Sequence, residues 1–189
     1  LARAIPPDQR RGHVLTLGVQ ASEVPKREFP LFLARLGLAK LDPRGGSMAV
    51  VPALHAVIKD LTATGRFADK FDSERVSTEA LLRCLGYSSV AALDANDYED
   101  PDHVVDLNAA ECAADLIGTA DLILDGGTLE HVFHLPNALG NIHAMLKENG
   151  FVFHSNPTNN HVDTGSTNSR RPSTGTTTRA TDTSCARWP

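Results

Sequence analysis

Residues 120–163 read ADLILDGGTLEHVFHLPNALGNIHAMLKENGFVFHSNPTNNHVD, and this stretch decides the fold. It begins with an apolar run, residues 122–124, which ends in Asp125, Gly126 and Gly127. Glycine lets the backbone turn sharply at the end of such a strand. Open α/β sheets bind their ligands at the carboxyl ends of parallel strands. We therefore expect a ligand near this acidic glycine turn.

The same stretch continues as a helix and a second strand. Pro136 suits the first turn of a helix. The predicted apolar face of that helix consists of Leu135, Leu139, Ile142 and Leu146. Gly150 then ends a loop before a second apolar run at residues 151–153. Two strands joined through a helix form a right-handed parallel pair, so the pattern predicts an α/β domain with a mainly parallel sheet.

Three further strands are predicted upstream. Residues 13–18, HVLTLG, have the apolar and β-branched character of a buried central strand. Residues 90–93 form a second strand and residues 103–105 a short third one. One glycine and three aspartates follow the predicted strands in order: Gly18, Asp94, Asp106 and Asp125.

The segment between the first two strands, residues 19–88, is longer than a simple crossover requires. We therefore predict a helical insertion there. Apolar residues recur at helical spacing from Met48 to Leu61, and Gly65 can end that helix in a left-handed conformation. Ser77 is placed to cap another short helix. The insertion could cover the ligand edge of the sheet or simply pack against its flank.

Length and charge exclude several classes of protein. A chain of 189 residues with 41% hydrophobic content and a formal charge of −5 fits one globular domain. It has no excess positive charge for phosphates, so we expect no nucleic-acid partner. No apolar run approaches the ~18 residues of a membrane span, and no secretion leader is visible, so a cytoplasmic protein is expected. The cysteine and histidine spacings match no zinc motif, and no metal is expected.

The quoted stretch resembles a known family. Residues 121–132, DLILDGGTLEHV, followed by LKENG at residues 146–150, resemble the fourth-strand region of class I S-adenosylmethionine-dependent methyltransferases. The longer form GGTLEHVF, with NNH at residues 159–161, is similar to a subgroup associated with bacterial carbohydrate biosynthesis. The resemblance covers roughly residues 13–18 and 77–164. It implies a Rossmann-like three-layer sandwich in residues 1–164.

The resemblance also implies a cofactor, S-adenosyl-L-methionine, and its contacts. Asp94 stands where the family has an acidic residue that accepts hydrogen bonds from the ribose diol. Asp106 stands where the family often has a residue facing the adenine amino group. Gly18 alone occupies the place of the family's glycine-rich loop, and no GxGxxG follows the first strand, which counts against a dinucleotide dehydrogenase. The predicted cofactor-binding residues are Gly18, Asp94, Asp106, Asp125 and Gly126.

The implied function is methyl transfer to a small acceptor, with a carbohydrate as the suggested class. Because the cofactor carries the reactive methyl, the protein mainly aligns the acceptor and removes its proton. The candidate bases are Glu130, His131 and His161. The alternative function is a non-catalytic binding or scaffold protein that kept the methyltransferase fold.

The tail, residues 165–189, changes abruptly to serine, threonine and arginine. We interpret it as disordered or as the product of a frameshift, because a shifted reading from Gly165 permits an aromatic stretch like the one with which the family continues. The C-terminal strands of the fold would then be missing. The strand at residues 151–153 would then be an exposed edge, which a partner or self-association would have to cover.

Overall fold

The computed structural model describes residues 5, 10–41, 48–50, 52–155 and 176–179. These residues form eight strands and four α-helices. The strands are β1 (His13–Leu17), β2 (Ala39–Leu41), β3 (Met48–Val50), β4 (Ser89–Asp94), β5 (His103–Val104), β6 (Ala120–Asp125), β7 (Leu146–His154) and β8 (Thr176–Arg179). The helices are α1 (Phe29–Arg35), α2 (Pro52–Ala63), α3 (Thr78–Cys84) and α4 (Leu135–Met145).

The main sheet has the strand order β5-β4-β1-β6-β7-β8. Its first five strands are parallel, and only β8 runs antiparallel. Buried side chains alternate between the two faces of β1, as expected for a strand covered on both sides. Val14 packs with Leu82 of α3, whereas Leu15 belongs to the cluster that contains Ile142 of α4. The predicted Rossmann-like α/β sandwich, with β1 in the sheet's centre, is confirmed.

Helix α4 differs from its predicted face. The buried residues lie at helical spacing, but they are Ala138, Asn141, Ile142 and Met145. Leu139 is 41% exposed because it lies one position outside this stripe. Leu146 has extended dihedrals and begins β7, so it is not part of the helix. The register of β7 shifts between Leu146 and Phe151, so the predicted loop before Gly150 is an irregularity within the strand.

The insertion after β1 contains a small sheet as well as helices. Strands β2 and β3 pair antiparallel, so Met48 lies in a strand and not in the helix predicted from the apolar spacing. The helix starts at Pro52, because proline favours the first helical turn. Gly65 has a φ of +73° shortly after α2, as predicted. Strand pairing thus overrode the helical periodicity of this part of the sequence.

A separate apolar cluster stabilises the insertion. Its buried members come from α1, β2, α2, α3 and the segment just before α3: Phe29, Leu33, Ala39, Leu54, Leu61, Val76, Ala80 and Cys84. Burial raises the pKa of Cys84 to about 11. A thiol that stays protonated at neutral pH is a poor nucleophile, so Cys84 acts as a core residue.

The outer edge of β7 is covered by β8. Backbone pairs run from His154 with Thr176 to Phe151 with Arg179. The expectation that β7 forms an exposed edge is therefore wrong, because four residues of the tail extend the sheet. The rest of the tail lies outside the described residues. Within the described ranges, we find no helix of the length and apolarity needed to cross a bilayer.

Candidate functional site

A cavity lies at the carboxyl ends of β1, β4 and β6, and we call it the strand-end cavity. Its volume is about 280 Å³. It is lined by Gly18, Leu93, Asp94, Ala95, Val105, Asp106, Leu107, Asn108, Gly127, Thr128, His131 and Val132. The structure therefore brings together three of the five predicted cofactor residues, Gly18, Asp94 and Asp106. The other two, Asp125 and Gly126, are not part of this lining.

Gly18 forms the floor of the cavity at the end of β1. Its backbone N–H donates to the carbonyl of Leu93 at 2.7 Å, and its φ is +76°, a conformation that favours glycine. A Cβ atom here would lie 3.0 Å from Thr128 Oγ1 and 3.9 Å from Asp94 Oδ2. The absence of a side chain therefore keeps the cavity open beside the Asp94 carboxylate.

Asp94 is weakly engaged within the protein. Its Oδ1 accepts hydrogen bonds of 3.4 Å from the backbone and the side-chain amide of Asn96. Such long contacts leave the carboxylate able to accept further, shorter hydrogen bonds. This property suits the ribose diol that the sequence predicts for Asp94.

Asp106 is held by its neighbour Asn108. Its Oδ1 accepts 2.8 Å hydrogen bonds from the Asn108 backbone N–H and from the side-chain amide. These two bonds, the backbone one first, lower the pKa of Asp106. Asn108 Oδ1 also accepts the backbone N–H of His134 at 2.8 Å, which ties this loop to the start of α4. Asn108 is not among the predicted site residues. Its position two residues after an aspartate, which is typical of a local turn, is the only signal for it in the sequence.

Asp125 lies beneath the cavity instead of in its wall. It is fully buried, and its Oδ1 accepts the backbone N–H groups of Thr128 at 2.9 Å and of Leu129 at 3.3 Å. Its Oδ2 lies 3.0 Å from His154 Nδ1. The carboxylate thus holds the loop after β6 in place. The strand-end position was predicted, but the side chain faces inward.

Two side chains close the crevice between the ends of β1 and β6. Gln20 Nε2 and Thr128 Oγ1 both donate to the carbonyl oxygen of Leu17. Gln20 Oε1 also fills the space where a Cβ of Gly126 would be. Gly126 therefore faces Gln20 and not the strand-end cavity. The sequence does show that this position is unusual, because Gln20 stands where the family has a glycine-rich loop.

A family model described as a methyltransferase domain matches residues 62–185, about two thirds of the chain. The chain belongs to this family. Its resemblance to class I S-adenosylmethionine-dependent methyltransferases is thereby confirmed. The match begins within α2, so it includes Asp94 and Asp106 but not Gly18. No curated protein and no solved structure matches the chain.

The candidate bases of the methyltransferase domain differ in their surroundings. His131 lines the strand-end cavity, and its side chain is 62% exposed. Glu130 is buried, and its Oε1 lies 3.9 Å from His131 Nε2. Its Oε2 has no hydrogen-bond partner among the residues that the structure describes. His161 lies outside the described residues. Of the two candidates that the structure describes, His131 lines the strand-end cavity and Glu130 does not.

A second cavity lies between the sheet and the insertion of the methyltransferase domain, and we call it the insertion cavity. Its volume is about 580 Å³. Thr16, Val19, Gln20, Gly65, Arg66, Ala68, Asp69, Lys70, Phe71, Ser77, Thr78, Glu79, Val90, Ala92, Asp100 and Asp102 line it. Burial raises the pKa of Glu79, although Arg66 lies 2.8 Å from its carboxylate. The insertion therefore encloses a charged space beside β1 and β4.

Proposed function

We propose that this methyltransferase domain binds S-adenosyl-L-methionine in the strand-end cavity and transfers its methyl group to a small acceptor. The observation that carries the proposal is the joint lining of one cavity by Gly18, Asp94 and Asp106. One glycine backbone and two aspartate side chains, predicted separately along the sequence, thus line the same cavity at the carboxyl ends of a parallel sheet.

The cavity offers one group for each part of an adenosyl ligand. Asp94 can accept hydrogen bonds from both ribose hydroxyls, because its existing contacts are long. The ionised Asp106 can accept a hydrogen bond from the adenine amino group. When bound, the cofactor supplies an electrophilic methyl group on a sulfonium, and no covalent enzyme intermediate is needed.

The acceptor must approach with a nucleophilic atom that loses its proton. His131, exposed in the cavity wall, is our candidate for the base, and the buried Glu130 carboxylate lies 3.9 Å from its Nε2. The GGTLEHVF and NNH motifs suggest a sugar hydroxyl as the acceptor. A base assists transfer to a hydroxyl, because it takes up the proton that the oxygen loses.

A non-catalytic binding role is the second candidate. It is favoured by Gln20, whose side chain occupies the crevice in which a glycine-rich loop would leave room for the cofactor. A protein of this kind would bind adenosyl ligands weakly and show no turnover.

Calorimetric titration with S-adenosylhomocysteine tests the proposal. We expect binding by the intact chain, weakened at least about tenfold in Asp94→Ala, since the loss of two charge-assisted hydrogen bonds costs more than ~1.4 kcal/mol. Asp97→Ala is the matched control, because Asp97 is exposed nearby and does not line the cavity.

Two results would contradict cofactor binding: no heat with the folded chain, or equal affinities for Asp94→Ala and the control. If binding is observed, transfer of a radiolabelled methyl group to a panel of nucleoside-diphosphate sugars separates the two candidates. Turnover supports the enzyme, and binding with no turnover on any sugar favours the binding protein.

A further inference from the structure

The crevice between β1 and β6 is the topological switch point of the sheet. The chain leaves β1 toward one side of the sheet, to β4, whereas β6 leads toward the other side, to β7. Ligands of open α/β sheets enter such a crevice. In this protein Gln20 and Thr128 span it, since both donate to the carbonyl oxygen of Leu17.

Both the backbone and the side chain of Gln20 are held in this position. Its backbone carbonyl accepts the hydroxyl of Thr78 at 2.8 Å, which connects it to the start of α3. Its side-chain amide lies against Gly126 and only 3.4 Å from where a Cβ of Gly18 would be. Since Gln20 lines the insertion cavity and Gly18 lines the strand-end cavity, the amide stands between the two spaces.

The sheet order determines which part of the cofactor would meet this side chain. Asp106 follows β5, Asp94 ends β4 and Gly18 follows β1, so these residues lie in this order along the sheet edge. An adenosyl ligand with its adenine at Asp106 and its ribose at Asp94 points its 5′ substituent toward Gly18 and the crevice. That substituent carries the amino-acid arm of the cofactor.

We propose that Gln20 is a specificity-determining gate that obstructs the amino-acid arm of adenosyl ligands while leaving the adenosyl part unobstructed. The inference rests on the proposed function, because it assumes an adenosyl ligand in the strand-end cavity. A ligand with the arm must displace the Gln20 amide from Leu17 and Gly126, and a ligand without the arm need not. Beyond the gate, the insertion cavity offers groups of both charges, as a zwitterionic arm requires.

The test compares S-adenosylhomocysteine, which has the arm, with 5′-methylthioadenosine, which lacks it. Both are titrated calorimetrically into the intact chain, into Gln20→Ala and into Ala21→Ser. Ala21 is the matched control, because it follows Gln20 in the same loop, is exposed and lines neither cavity. Gln20→Ser serves as a second variant, and a thermal melt establishes that each protein is folded.

Removing the gate should change one affinity only. We expect S-adenosylhomocysteine to bind Gln20→Ala about tenfold more tightly than the intact chain. In the intact chain the ligand must break the hydrogen bond and the packing that hold the Gln20 amide, and in the variant it need not. The affinity for 5′-methylthioadenosine should change less than about twofold, because this ligand has no amino-acid arm for Gln20 to obstruct. Ala21→Ser should leave both affinities as they are in the intact chain.

The outcomes separate the gate from the proposed function. If both ligands bind and Gln20→Ala and Gln20→Ser leave their affinity ratio unchanged, the gate is wrong and the adenosyl site stands. The same holds if Ala21→Ser changes the ratio as much as Gln20→Ala does, because the effect then belongs to the loop as a whole. If neither ligand binds any folded variant, the adenosyl site itself is wrong, and the gate is overturned with it.

Discussion

At the scale of single residues, Asp125 shows how a correct position can conceal a different role. The sequence places an aspartate at the end of a strand, and the structure confirms that position at the end of β6. Its side chain nevertheless points into the protein and pairs with two backbone N–H groups and with His154. Whether a strand-end side chain faces ligand or core depends on the loop that follows it, which strand periodicity does not specify.

Replacing Asp125 with alanine should therefore destabilise the fold. The change removes the buried carboxylate that accepts from the backbone of Thr128 and Leu129 and contacts His154. We expect the free energy of unfolding to fall by about 3 kcal/mol, as measured by urea denaturation. Asp97→Ala, an exposed control, should unfold at the same urea concentration as the intact chain. Equal midpoints for the two variants would show that Asp125 does not hold the loop.

At the scale of elements, the start of α3 follows from the sequence more directly than the buried face of α4 does. Ser77 was predicted as a cap, and its Oγ accepts the backbone N–H of Ala80 at 3.0 Å. Capping depends on a hydrogen bond within one turn, so the local sequence contains the whole interaction. The face of α4 depends on how the helix lies against the sheet, and Leu139 was consequently assigned to the wrong side.

The cap of α3 gives a prediction at this scale. Ser77→Ala removes the acceptor for Ala80 and also the hydroxyl that donates to the carbonyl of Arg66 at 2.6 Å. We expect a loss of about 1 kcal/mol of unfolding free energy, because a helix of seven residues has few other bonds at its start. Ser77→Thr keeps the hydroxyl and should remain close to the intact chain in the same urea experiment. If the threonine variant is destabilised as much as the alanine variant, the cap is not the cause.

At the scale of the whole molecule, the main difference from expectation concerns the outer edge of the sheet. The composition of the tail predicts no strand, yet residues 176–179 pair with β7. Threonine is compatible with a strand, and an unpaired backbone edge offers hydrogen bonds that are independent of side chains. Tertiary context can therefore recruit a polar segment that the apolar pattern excludes.

Two truncations test the importance of this strand. A chain ending at Gly175 lacks β8, and a chain ending at Ala180 keeps it. We expect the shorter chain to elute as a larger species in size-exclusion chromatography and to melt at a lower temperature, because the edge of β7 is then open to another copy. The longer chain should behave like the intact one. Identical elution and melting of the two truncated chains would show that β8 does not protect the edge.

The sequence by itself determined the parallel core of this methyltransferase domain. Strands β1, β4, β6 and β7, the cap of α3 and the proline at the start of α4 follow from apolar runs, glycine turns and local interactions, which act over a few residues. The tertiary structure alone decided that Gln20 and Thr128 meet at the Leu17 carbonyl, that Asp125 faces inward, and that β8 joins the sheet. These contacts join residues that are distant in the chain or depend on the path of a loop, and no periodicity along the sequence encodes which of them will form.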